Sequence, residues 1–108
     1  MVGIILMINK NIKSNHIQIE NLFKSIFTEV PNTSIVLNDR SVIISHDDSS
    51  NSDAASIEIV ELSDGYKISY WDGYSLAEEE DSTDLKKSLK IFKRYSKKLA
   101  KNLNRFSQ

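Results

Sequence analysis

Trp71, Asp72, Tyr74 and the run Glu78-Glu79-Glu80 fall within ten positions of one another, with Asp64 just upstream and Asp47-Asp48 further back. Aromatic rings set among fixed carboxylates have the composition of a protein-binding hot spot, and the chemistry they suit is non-covalent association with a cationic surface. Tyr66 and Tyr70 belong to the same stretch, but they share one strand face with Ile68 and are expected to pack beneath a helix. Trp71 and Tyr74, on the opposite face or in the Asp72-Gly73 turn, are harder to bury. The candidate partner-binding set is therefore Asp47, Asp48, Asp64, Trp71, Asp72, Tyr74, Glu78, Glu79 and Glu80.

Other chemistries find less support. Asp47, Ser49, Asn51, Asp53 and Glu58 occupy positions 1, 3, 5, 7 and 12 of a calcium-loop spacing. Position 6, which needs glycine for the sharp turn, is Ser52, and the flanks read as strands where an EF-hand requires helices. No metal site is expected. The two histidines are His16, near a helix start, and His46, beside Asp47, a pair whose adjacency in sequence points the side chains apart. The chain has no cysteine and three glycines, with no nucleophile elbow and no glycine-rich phosphate loop, so neither a catalytic residue nor a cofactor is expected.

A second charged feature has the opposite sign. Lys86, Lys90, Lys93, Arg94, Lys97 and Lys101 recur roughly once per helical turn and form a basic ridge opposite an apolar stripe. This is the alternative functional set, suited to phosphate backbones, although no aromatic on the ridge offers a stacking surface. From Asp47 to Asp84 there are twelve acidic residues against Lys67 alone, a local −11, and from Leu85 onward nine basic residues and no acid. The near-neutral total of −1 conceals this segregation, which is a statement about partners and not about fold. Acids placed before the helix favour its dipole, but a helix from Leu85 to Phe106 is about 33 Å long, while screening sets in near roughly 8 Å. The middle lysines must face the acidic loop, water or a partner.

The elements that position these residues follow from periodicity. Ile19, Leu22, Phe23, Ile26, Phe27 and Val30 mark a helix over about 16–30, with Asn15 and Gln18 as a capping box and Pro31 as the stop. Ser34–Leu37 and Ser41–Ser45 read as strands about an Asn38-Asp39-Arg40 turn, and Ile57–Leu62 and Tyr66–Trp71 as a second pair about Ser63-Asp64-Gly65. Leu85, Leu89, Phe92, Leu99, Leu103 and Phe106 form the stripe of a long final helix, capped by Ser82 or Asp81. The expected fold is α+β: one two-layer domain over 1–108, an antiparallel sheet of about four strands in the order α-β-β-β-β-α, with residues 1–14 irregular or an extra strand. Val2–Ile8 lacks the basic flank and cleavage site of a signal peptide and is too short to span a bilayer, so a cytoplasmic protein without membrane contact is expected. An exposed edge strand leaves both monomer and homodimer open.

The run Gly65-Tyr66-Lys67-Ile68-Ser69-Tyr70-Trp71-Asp72-Gly73-Tyr74, followed by an acidic cluster and a long amphipathic helix, resembles the C-terminal half of several small bacterial immunity proteins over about residues 57–100. The resemblance implies a cytoplasmic, non-enzymatic inhibitor that covers the active face of a toxin or nuclease domain, commonly a basic one. The basic helix departs from that pattern and would lie away from a basic target. This reading requires the acidic stretch to face outward and not to fold back onto the lysine-rich helix.

Overall fold

The computed structural model describes residues 11–48, 50 and 53–106, with side chains to 104. Of the segment 1–14, read from sequence as irregular or an extra strand, residues 1–10 lie outside the described residues. A 3-10 turn, Lys13–Asn15, leads into α1 (His16–Ile26), which is followed by β1 (Thr33–Leu37), β2 (Ser41–His46), β3 (Ser56–Leu62), β4 (Gly65–Trp71), β5 (Leu76–Ser82) and α2 (Leu85–Phe106). The five strands form one antiparallel meander in the order β1-β2-β3-β4-β5, with both helices on one face. The α+β two-layer expectation holds, with five strands in place of about four.

The fifth strand contains Glu78-Glu79-Glu80-Asp81, which the sequence reading placed ahead of the final helix. Its register pairs Ser82 with Tyr66, Glu80 with Ile68 and Glu78 with Tyr70, after which Ala77 bulges out and Leu76 faces Trp71. Acidic residues are poor strand formers, but on an edge strand they discourage pairing with another chain. Gly65 makes room for this edge. It opens β4 at φ +154°, and a Cβ there would lie 2.6 Å from the Ser82 carbonyl oxygen.

Helix ends also differ from expectation. α1 stops at Ile26, because the Thr28 hydroxyl donates to the Lys24 carbonyl and Phe27 leaves helical geometry; Phe27 and Val30 are still buried through the following turn. No side-chain cap forms at Asn15, whose amide donates to the Asn11 carbonyl at 2.8 Å. For α2 the cap is Asp84, not Ser82 or Asp81. Its Oδ1 accepts the Lys86 amide at 3.0 Å, leaving Ser82 in the strand.

The core lies between the sheet and α2. Period-two alternation sends Val42, Ile44, Ile57, Ile59, Ile68 and Tyr70 to the helical side, where they meet Ile91, Phe92, Tyr95 and Leu99. Burial raises the phenol pKa of Tyr66, Tyr70 and Tyr95 above the ordinary tyrosine value, and at Tyr95 the Glu80 carboxylate adds to the rise. A raised native pKa means that the unfolded chain loses these protons first, so stability is intact below about pH 10 and falls as pH climbs past it. We expect tyrosinate absorbance from these residues to appear together with loss of far-ultraviolet circular dichroism. Their ionisation within an unchanged circular dichroism spectrum would contradict the packing.

Candidate protein-binding site

Two loops meet at one end of the sheet. The β2–β3 connection leaves β2 through Asp47, whose amide donates to the Asn32 carbonyl at 2.6 Å and whose carboxylate accepts the Ser34 hydroxyl at 3.0 Å. Asp48 then closes a local turn, accepting the Ser50 amide at 3.0 Å and its hydroxyl at 2.6 Å. The β4–β5 connection is organised by Asp72, whose Oδ1 accepts the amides of Tyr74 and Ser75, both at 2.8 Å. Gly73, at φ +100°, supplies the left-handed step this turn needs. The indole of Trp71 ties the two loops together by donating to the Asp53 carbonyl at 2.8 Å.

These bonds also set the electrostatics. Hydrogen bonds from the Ser50 side chain and backbone hold Asp48 below the usual aspartate range, and those from the Ser75 and Tyr74 amides do the same for Asp72. Both carboxylates therefore stay charged through mild acid, and any association that depends on them persists there.

Between the loops and the C-terminal part of α2 is a cleft of about 500 Å³. Tyr70, Leu99 and Leu103 give it an apolar floor, and His46, Asp48, Asp72 and Tyr74 stand around it. Asn102 donates to the Tyr70 hydroxyl at 2.7 Å, fixing one wall to the helix. Tyr74 is 91 % exposed and Leu76, beyond it, is 52 % exposed. A tyrosine held at a turn with almost all its surface in water contributes nothing to the core.

Of the candidate residues, Asp47, Asp48, Trp71, Asp72 and Tyr74 come together at this end, although Trp71 is half-buried on the open sheet face and acts as a tether. Asp64 does not join them. It occupies the β3–β4 turn, at the other end of strands about 23 Å long. Glu78 and Glu80 do not face outward, which corrects the expectation for these two. On β5 they point to the helical face, where Glu78 pairs with Lys98, and Glu80 pairs with Arg94 and accepts the Tyr95 hydroxyl at 2.7 Å. Glu79 lies on the open face, 4.0 Å from Lys67.

The basic set divides in the same way. Arg94 is committed to Glu80 and stacks on the Tyr95 ring, whereas Lys86, Lys90, Lys93, Lys97 and Lys101 are exposed. Lys98, which the sequence reading did not single out, is the second cation that closes the strand onto the helix.

No family model matches this chain, and neither a curated protein nor a solved structure matches it. Among the described residues no group of three His, Asp or Glu side chains is placed to hold a metal ion, and no helix is long and apolar enough to cross a membrane. Ser49, Asn51 and Ser52 of the calcium-like spacing lie outside the described residues. His46 and Asp47 separate as alternating strand positions do: His46 lines the cleft, and the Asp47 carboxylate takes the Ser34 hydroxyl. The residues missed from sequence are Leu99 and Leu103 of the cleft floor, whose only signal was the apolar stripe that equally describes a core, and Asn102 of its wall, which carried no signal.

Proposed function

We propose that this protein is a non-enzymatic, cytoplasmic inhibitor of the immunity type, which covers a cationic toxin or nuclease domain with its acidic loop end. The observation that carries this reading is Tyr74, 91 % exposed on a turn that Asp72 orders, at the mouth of an acid-rimmed apolar cleft. Asp47, Asp48 and Asp72 would steer a basic partner into encounter. Tyr74 and Leu76 would supply the apolar anchor. The cleft suits a lysine or arginine side chain, its stem against Leu99 and Leu103 and its charge toward Asp48 and Asp72. Inhibition would be by occlusion, with no bond made or broken.

Affinity capture from the source cell with the wild-type chain and with Tyr74→Lys tests this reading. The substitution removes an exposed ring and places a cation in the acidic rim, so the fold should be unaffected. A basic protein retained by the wild type, released by salt and lost with Tyr74→Lys is the expected result. Equal retention by both chains would contradict the reading. The alternative, a nucleic-acid-binding module using α2, retains five exposed lysines but loses Arg94 to Glu80, and a salt-dependent gel shift would favour it.

A further inference from the structure

The cations of α2 are sorted by side. Arg94 and Lys98 face β5 and meet Glu80 and Glu78, whereas Lys86, Lys90, Lys93 and Lys97, at spacings of four, three and four, run along the seam between α2 and α1. None of these four is in an ion pair among the described residues, and residues 1–10 bring no carboxylate side chain. The seam is a furrow made of two depressions of about 410 and 470 Å³. Leu22, Ile26 and Leu89 contribute apolar surface to its bottom, Asn21 and Ser25 form the α1 side, and no acidic residue lines either depression.

We propose that this furrow docks an acidic amphipathic segment of a second protein, at a place distinct from the cleft end. Four ammonium groups spread over about 16 Å of helix, spaced more closely than the roughly 8 Å screening length, repel one another and favour an anionic neighbour. The apolar floor specifies what kind. A phosphate backbone would satisfy the lysines but leave Leu22, Ile26 and Leu89 against water, and the furrow offers bases no aromatic platform. A helix with leucines on one stripe and carboxylates at its margins satisfies both, in the helix-in-groove manner. The furrow matches about three turns of such a helix. Because its charge is opposite to that of the loop end, the furrow selects a different partner.

The test uses fluorescence anisotropy of the full chain with three labelled probes. One is a synthetic peptide of about 14 residues with leucines at i, i+3, i+4 and i+7 and glutamates alongside. The others are its scrambled isomer and a single-stranded oligonucleotide of about 15 nucleotides. The amphipathic peptide should bind more tightly than either. The pair Lys90→Glu with Lys93→Glu should weaken it by at least about tenfold, as should Ser25→Glu to a smaller degree, while Tyr74→Lys should leave it unchanged. All these positions are exposed, and circular dichroism verifies the fold. The proposal is overturned if the scrambled peptide binds as well, if the oligonucleotide binds more tightly, or if the lysine reversals have no effect.

Discussion

Replacing Glu80 by lysine should lower the unfolding free energy by about 2–4 kcal/mol, far more than an exposed charge reversal normally does. Two effects combine. The hydroxyl of Tyr95, a fully buried side chain, loses the acceptor it holds at 2.7 Å, and an unsatisfied buried donor costs about 1–3 kcal/mol. A third cation is then set beside Arg94 and Lys98. Both flanking groups are about half exposed, so solvent limits this repulsion to roughly 1 kcal/mol. Urea denaturation should show a lower midpoint with an unchanged slope. Glu80→Gln, which keeps an acceptor oxygen, should recover most of the loss. Glu79→Lys, on the open face, should stay within about 0.5 kcal/mol of wild type. Equal effects at positions 79 and 80 would contradict the inward orientation of β5.

A larger loss is expected at Phe92. Its ring is fully buried at the middle of α2, among the β-sheet isoleucines and Leu99, and truncation to alanine should cost about 3–5 kcal/mol in lost transfer energy and residual cavity. For a domain whose whole stability is about 5–15 kcal/mol, that leaves a marginal fold. Ser96→Leu approaches the same core from the other direction. Ser96 is fully buried and its hydroxyl donates to the Phe92 carbonyl at 2.7 Å, so extra volume there should cost about 1–3 kcal/mol. Calorimetry of both variants gives the check. A Phe92→Ala protein melting within a few degrees of wild type would mean that α2 does not cover the sheet.

The contrast between these residues explains how much could be read from the sequence. Phe92 and Leu99 declare themselves by helical spacing, and Ile57, Ile59 and Ile68 by alternation, so both helices and four strands were legible. β5 was not. Its inward positions are Glu78 and Glu80, which leave no apolar alternation to detect, and the cations that make burial of that face tolerable lie 20 and 14 residues away on another element. For the same reason Glu78 and Glu80, read as part of a binding surface, belong to the seam between β5 and α2. Tyr74 was legible because a ring in an Asp-Gly turn has little to pack against. The cleft beneath it was not, since its floor comes from β4 and α2 and its rim from two loops that approach only in the fold.

On the proposed function, a partner meets the two loops and not the acidic strand. The most direct measurement is titration calorimetry of the captured partner against wild type, Tyr74→Lys and Asp64→Lys. Tyr74→Lys is expected to weaken binding by at least about thirtyfold, the scale of a hot-spot loss, while Asp64→Lys, at the far end of the β3–β4 hairpin, should retain wild-type affinity. Affinity lost with Asp64→Lys and kept with Tyr74→Lys would contradict binding through the loop end.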